Sequence, residues 1–589
     1  MRGRLGLSVL CSAVALGCGD VPVSAQGPRP SRALTLLHTA DIHSRVWPFR
    51  SRISRFEASL GLGQALSLAE VGGAARLATL LERERRRGPS LWLDSGDALE
   101  GAEVFHRWGG RLELELLSSL GLGAMALGNH ELSLDGARLA ELFATSARFP
   151  VLAANLRARA DSALADRLVP SVLLDAGGVR VGVVGVANPT SPPNLASPDN
   201  PWRLDIATDS AGAVQAAVDD VAARSALVVV LSHLGLDQDR ELVRNTTGID
   251  LVLGGHQHIV TAEPEWQDDC ASTAVQSRRG CAPRRVPIVH SGAYARWLSR
   301  LELTLVPDPT APAQLELAAL SLTQLPVSAQ VPPSPAVSEY LDARRPLPEP
   351  PLGFLAGPLH RRSPLGGDSP LGNLAAAAML AATGADVALL NSSGLRSDLE
   401  AGALLRSDLE LAFPFDEPWR LVWLTGQRLR RGLLRAAWRS AARACESTLQ
   451  IAGLRLRVDC SACAARAADC LQITRPNGAG SAAVADEAWL LTVLPQYLTL
   501  PGADFEDEAL TGSDVEVSAE EAVARYLQAQ PPVKDVAACQ SSLAAWSEPR
   551  CREGFGALQC PLDQARARLA CRALPLLEGA RDGRIEMRP

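Results

Sequence analysis

From Arg32 to about Leu322, short apolar runs alternate with stretches whose apolar residues recur at helical spacing. Ala33–His38, Leu91–Asp94, Ala124–Leu127, Val179–Ala187, Ala226–Ser232, Asp250–Leu253 and Val286–His290 read as strands buried on both faces, and Ala74–Arg87 and Ala137–Ala144 read as helices between them. This alternation predicts an α/β domain over 32–325. Proline then crowds the chain: Pro332 and Pro333, then Pro346, Pro348, Pro350 and Pro351. So stiff a segment packs poorly and marks a boundary, which places a linker at 326–351 with a short helix, Val337–Arg344, inside it. A second mixed α/β domain is expected over 352–530 and a cysteine-rich appendage over 535–589.

The ends of the chain carry their own signals. Arg2 and Arg4 precede an apolar run, Leu5–Leu16, that is too short to span a bilayer and has the form of an export signal. Two cleavage sites fit. Ala15-Leu16-Gly17-Cys18 resembles a lipobox, which would end the signal at 17 and lipidate Cys18; Val23-Ser24-Ala25 suits ordinary signal peptidase and ends it at 25. No later stretch is long and apolar enough for a transmembrane helix. Of the 12 cysteines, the ten beyond Cys18 form an even set, as expected for disulfides in an oxidising compartment. Cys270 and Cys281 flank one Arg-rich loop and suit each other as partners. Cys460-x-x-Cys463 reads as disulfide-bonded rather than as zinc or redox chemistry in such a chain. A net charge of −7 gives no basic face for a nucleic acid polymer, and 21% charged with 47% apolar residues excludes a disordered chain.

Six of the nine histidines fall in four short motifs at the ends of predicted strands, where distant segments can converge on one rim. In the first, His38-Thr39-Ala40-Asp41-Ile42-His43, the pair Asp41-x-His43 offers a carboxylate and an imidazole together. Gly96-Asp97 follows a strand, and the two oxygens of Asp97 can bridge two cations. Gly128-Asn129-His130-Glu131 supplies a neutral carbonyl ligand beside a histidine. His233 ends one strand, and Gly255-His256-Gln257-His258 ends the next. Any one of these is weak by itself. Together they are a donor set for Mn, Zn or Fe.

In this order the motifs resemble those of calcineurin-like metallophosphoesterases, and within them the 5'-nucleotidases of bacterial periplasm and animal cell surfaces. The resemblance covers about residues 32 to 515. It implies an N-terminal four-layer αββα sandwich followed by a C-terminal α/β substrate-binding domain, with the helix at Val337–Arg344 as the interdomain hinge. It implies two divalent metal ions, one on Asp41, His43, Asp97 and His258, the other on Asp97, Asn129, His233 and His256. Two such cations clamp a phosphate and activate water for in-line attack. His130 would meet the growing negative charge and help protonate the leaving oxygen. The family orients this histidine with an Asp two residues past the Glu. Ser133 stands there in this chain, and Asp135, followed by Gly136, is expected to take over the role.

The second domain carries matches of its own. Asp368-Ser369-Pro370-Leu371-Gly372-Asn373 resembles the family's entry motif. Asn391 and Arg396, around the turn Ser392–Leu395, are implied nucleotide contacts, Arg396 through a planar fork suited to phosphate. Phe415 and Tyr497 match two aromatic platforms for the base, and Asp504 matches a ribose contact. After Pro414-Phe415 the family has Gly and often Asn, whereas Asp416 and Glu417 stand here. The expected function is therefore an exported dinuclear-metal hydrolase of nucleoside 5'-monophosphates, with UDP-sugars as further substrates. A 2',3'-cyclic phosphodiesterase/3'-nucleotidase shares these motifs, and a non-catalytic surface binding protein of the same fold stays open.

Overall fold

The structure is a computed structural model that describes residues 31–307, 315–345, 351–500, 502–506, 512–529, 576–577 and 583–588, apart from 356, 364–365, 416, 478–479 and 516. The expected export segment with Cys18, the prolines at 346, 348 and 350, Asp416 and the tail cysteines Cys539, Cys551, Cys560 and Cys571 lie outside the described residues.

Two stacked sheets form the first domain. One has the spatial order Leu315–Pro326, Trp297–Pro307, Arg32–Thr39, Ser90–Asp94, Ala124–Ala126, Val151–Leu152, Leu168–Val169. The other runs Glu265–Asp268, Arg285–His290, Leu251–Gly254, Leu227–Ser232, Val179–Val186, Ser171–Ala176. Alternate residues of each strand face opposite layers. Leu34, Leu36, Leu91 and Leu93 meet Val181, Val183, Val229 and Leu253 between the sheets. Leu37, Trp92 and Met125 point outward under the helices Ala74–Arg85, Arg111–Ser119 and Gly136–Ser146. Val184, Val228 and Val252 point outward under Ser210–Ala222 and Leu236–Arg244. With both faces buried the strands must be apolar throughout, which is why they stand out in the sequence. The result is an αββα sandwich whose parallel strands end along one edge.

The expected strands and helices of this domain form within two residues of their predicted bounds. Several elements are additions, among them the helices Arg111–Ser119, Ser210–Ala222 and Leu236–Arg244, the strand Ser171–Ala176 and the hairpin Trp297–Pro307/Leu315–Pro326. The hairpin's outer strand alternates polar and apolar residues along a largely uncovered edge, so no apolar run announces it.

The second domain is built on a mixed five-stranded sheet in the order Leu449–Ala452, Val387–Asn391, Trp489–Pro495, Trp419–Thr425, Gly512–Val515. Pro370–Thr383 and Ala519–Gln528 pack with one core, Gly426–Ala442 with the other. The entry motif starts a helix: Ser369 caps it by accepting from the Gly372 N–H, and Asn373 donates to Asp368 at 2.7 Å.

The helix Pro335–Asp342, at the position expected for the interdomain hinge, is docked on the first domain, with Leu341 buried beside Val46, Leu112 and Leu116 and the Tyr340 hydroxyl donating to Glu115. Of the expected C-terminal appendage, the described residues pair with the second domain, Ile585–Arg588 in parallel with Arg455–Asp459 and Leu576–Leu577 with Gly353–Leu355. Ile585 is buried in the second domain's core, which anchors that last strand. Three disulfides join Cys270 to Cys281, Cys445 to Cys460 and Cys463 to Cys470, so the two cysteines of Cys-x-x-Cys have different partners. Among the described residues no helix is long and apolar enough to cross a membrane.

Candidate metal centre

The loops following the parallel strands bring the four motifs to one place. Donor atoms converge in three overlapping groups, each within 4.8 Å: Asp41, His43 and His258; His43, Asp97 and His130; Asp97, His233 and His256. Asn129 joins the third, its Oδ1 accepting from His256 Nδ1 at 2.9 Å. All seven expected ligands are thus brought together, with Asp97 between the two outer groups.

The backbone is bent to achieve this. Asp41, His43, Asp97, His256 and His258 all have positive φ, between 51° and 74°. Such a conformation costs on the order of 1–3 kcal/mol for a non-glycine residue and persists only where the surroundings enforce it. Five of seven candidate ligands carrying this strain is a mark of a functional site. The surroundings are tight: a Cβ on Gly128 would lie 2.2 Å from Asp97 Oδ1, and one on Gly96 (φ +90°) 2.7 Å from the Ala126 carbonyl. Glu131 ties the two loops, accepting from the N–H groups of Gly128, Asp97, Ala98 and Leu99 at 2.8–3.2 Å.

The imidazoles are oriented from behind. His43 Nδ1 donates to the Glu100 carbonyl at 2.7 Å and His233 Nδ1 to the Ser95 carbonyl at 2.6 Å, which turns each Nε2 into the cluster. Asp41 accepts from the His256 N–H at 2.9 Å. Burial, reinforced by Arg396, holds His43 and His258 well below the usual imidazole range. Burial together with the charge on His233 lowers His256 to about 3. These three are neutral at pH 7, the form that binds metal. Burial opposes ionisation of Asp97, but His233 and His130 outweigh it and hold the carboxyl low. Burial pushes His233 down, and Asp97 nonetheless raises it to about 10.

The donors fit divalent cations. Carboxylate, amide oxygen and imidazole suit Mn, Zn or Fe. His233 Nε2 faces Asp97 Oδ2 at 2.9 Å yet is poorly aligned for a hydrogen bond, the arrangement expected where a cation rather than a proton belongs between them.

His130 lies beside the cluster, its N–H donating to Asp97 Oδ1 at 2.8 Å. The expected partner of its side chain is corrected. Asp135 is the N-cap of Gly136–Ser146 and accepts from the N–H groups of Ala137 and Arg138, both at 3.0 Å. His130 Nδ1 donates instead to Glu100 Oε2 at 2.6 Å, and the Ser133 hydroxyl donates to the same oxygen. The sequence reading missed Glu100 because its link to His130 spans thirty positions and no spacing rule connects them.

The second domain closes over the centre. Arg396 reaches His43 Nε2 at 3.1 Å and His258 Nε2 at 3.4 Å, and Phe415 stacks on His130 with ring centroids 5.5 Å apart. Beside His258 a cavity of about 450 Å³ is lined by Arg45, Arg296, Arg361, Arg396 and Tyr294. The other expected substrate residues stand elsewhere. Asn391 donates to Ser393 Oγ at 3.0 Å. Tyr497 packs on the second domain's core, and its N–H donates to Glu417. Asp504 is buried and paired with Arg439, so the carboxylate expected to meet ribose already has a cationic partner.

Comparison with known proteins agrees with this geometry. Residues 34–260 match the calcineurin-like phosphoesterase family and residues 351–488 the 5'-nucleotidase C-terminal domain. The fold thus joins a metallophosphoesterase-type domain to a domain of the 5'-nucleotidase C-terminal type, each matched by its own family model over its own part of the chain. The chain is 30% identical to the 5'-nucleotidase of Mus musculus over 276 residues and 30% identical to that of Homo sapiens over 280, each match covering 46% of both chains. The matched region therefore spans about half the length of these curated relatives. The solved 5'-nucleotidase precursor from Thermus thermophilus superposes with a TM-score of 0.73 at 24% identity, covering 94% of this chain and 99% of its own. A Thermus thermophilus sulfate thiohydrolase shares the fold, with TM-score 0.62 at 20% identity, over 84% of this chain and 93% of that one. Fold alone therefore does not choose the substrate.

Proposed function

We propose that the chain is an exported phosphohydrolase that releases phosphate from nucleoside 5'-monophosphates, with UDP-sugar cleavage as a further activity of the same site. One observation carries this reading: seven metal-type donors converge around Asp97 while Arg396 and Phe415 of the other domain descend on the same point. Two divalent cations, held by Asp41, His43, Asp97 and His258 and by Asp97, Asn129, His233 and His256, would supply charge that polarises the phosphoryl group and lowers the pKa of water.

The protein's own groups do the rest. Arg396 presents a planar fork to the non-bridging phosphoryl oxygens. His130, hydrogen-bonded through Nδ1, offers Nε2 toward the oxygen where negative charge grows and hands a proton to the departing alkoxide. Phe415, stacked on His130 and with the Arg396 guanidinium 5.5 Å from its ring centroid, is the platform for the base. Three disulfides support an oxidising compartment; with the apolar Leu5–Leu16 run they favour export, and Cys18 is the candidate for a lipid anchor.

Phosphate release from AMP, 3'-AMP, 2',3'-cyclic AMP and UDP-glucose, with Mn²⁺ and with chelator, tests this. AMP should be hydrolysed fastest and chelator should abolish turnover. Preference for the cyclic and 3' esters would move the chain to the phosphodiesterase/3'-nucleotidase reading, which the departure from the family at Asp416 and Glu417 leaves open. No turnover of any of the four with metal restored overturns the hydrolase reading.

A further inference from the structure

Glu100 has no assigned role in the motifs, yet it touches two histidines of the centre at once. Its backbone carbonyl accepts from His43 Nδ1, and its carboxylate accepts from His130 Nδ1 at 2.6 Å. The residue has φ 55°, so the chain holds a non-glycine side chain in a strained turn to bring this about. Both partners are largely buried, with 15% of the His130 side chain and 12% of the Glu100 side chain exposed. The Ser133 hydroxyl donates to the same oxygen of Glu100, which fixes the carboxylate's rotation. From the other side Phe415 lies flat on the His130 ring. The imidazole is thus clamped in plane and in tautomer, with Nε2 3.9 Å from Asp97 Oδ2 and turned to the centre.

We infer that Glu100 is the positioning residue of His130, and that Ser133 is its accessory, the carboxylate coming from the loop after Asp97 rather than from the turn after Glu131. The inference deepens the hydrolase reading and rests on it for its kinetic part. A carboxylate accepting from Nδ1–H leaves Nε2 as the atom facing substrate. Ser133 and Glu100 are complementary. Because the Ser133 hydroxyl reaches the very oxygen that holds His130, a carboxylate at 133 would occupy the same spot, and two carboxylates there would repel each other. The chain therefore accommodates a carboxylate at one of the two positions, not at both.

The exchange can be made experimentally. Glu100→Gln keeps the size of the side chain and the backbone contact to His43. It should lower kcat for AMP about 10–100-fold, the usual cost of losing an outer carboxylate partner of a histidine, with KM within about threefold and two equivalents of metal retained. Adding Ser133→Asp to Glu100→Gln should restore kcat at least about tenfold. A second readout needs no turnover: the metal-free protein should show one far-downfield imidazole proton in its NMR spectrum that is lost in Glu100→Gln. Glu100→Gln that keeps more than half the wild-type kcat and this proton overturns the inference, as does a double variant no faster than the single one. If wild-type protein hydrolyses no ester, the functional reading fails, while the proton still tells whether Glu100 holds His130.

Discussion

In the first domain the candidate ligands follow strands of two stacked sheets, and five of the seven sit in strained backbone held by buried carboxylates and carbonyls. In the second domain the five candidate substrate residues sit at a strand end, on loops and in short turns, and each already has a partner. Arg396 and Phe415 lean on the histidines of the other domain, Asn391 on Ser393, Tyr497 on its own core, Asp504 on Arg439. The metal centre is built within one domain and is over-determined there. The substrate side is assembled across two domains. Chemistry that tolerates little error is placed on rigid strand ends, and recognition is left to the domain that closes over them.

Substitution of the shared carboxylate should break this contrast most visibly. Asp97→Asn removes a charge common to both halves of the centre, and phosphate release should fall by about three orders of magnitude or more, with metal content measured by mass spectrometry dropping below two equivalents. Retention of a tenth of the activity would show that Asp97 does not bridge.

The next test separates phosphate from base. Arg396→Ala should lower kcat/KM roughly 10–100-fold for AMP and p-nitrophenyl phosphate alike, because the fork serves the phosphoryl group. Phe415→Ala should cost AMP roughly 5–100-fold, the equivalent of 1–3 kcal/mol of stacking, and leave p-nitrophenyl phosphate within threefold. Equal losses on both substrates would remove the distinction between the two residues.

Asp504→Asn should act on folding rather than on recognition. It leaves Arg439 without its buried partner, but the Arg439 side chain is 44% exposed, so the loss should be about 1–2 kcal/mol, read as a lowered Tm with KM for AMP within twofold. A tenfold rise in KM at unchanged Tm would return Asp504 to the ribose.

The smallest effect concerns Glu417. Burial pushes its carboxyl up to about 7, despite the Tyr497 N–H that favours the charged form, and Glu100 across the interface adds to the rise. The folded state holds this proton more tightly than the unfolded chain, so the group's contribution is full below its ordinary value of 4.5 and is lost as pH rises through about 7. Glu417→Gln should raise Tm by about 2–4 °C at pH 8 and change it little at pH 4.5. A uniform shift at both values would mean that protonation of Glu417 plays no part.

Much of the metal centre was legible because strand ends and ligands are neighbours in sequence. Asp41-x-His43, Gly96-Asp97 and His256-x-His258 each follow an apolar run, and turns there leave few other uses for such residues. The orienting carboxylate was not legible. Asp135 looked right by distance along the chain, but an Asp followed by Gly136 and a helical stretch is also a good N-cap, and the capping bonds to Ala137 and Arg138 took it. Arg45 shows the same limit from the other side. It lies two residues past His43 but gains its place from Phe49 and Tyr294, whose rings its guanidinium covers at 4.6 and 4.2 Å, and from the Leu411 carbonyl of the other domain at 3.3 Å.

By itself the sequence determined the alternation of buried strands and amphipathic helices, the split into two α/β domains, and the set of donors able to hold two cations. These follow from local periodicity and from residue chemistry, which neighbours along the chain suffice to specify. Only the tertiary structure decided which carboxylate orients His130, that Asp504 serves Arg439, that the last strand returns to the second domain, and that Arg396 and Phe415 reach the centre. Each of these is a contact between segments far apart in sequence, set by the packing of sheets and domains, and competition among several chemically able residues for one position is resolved only in space.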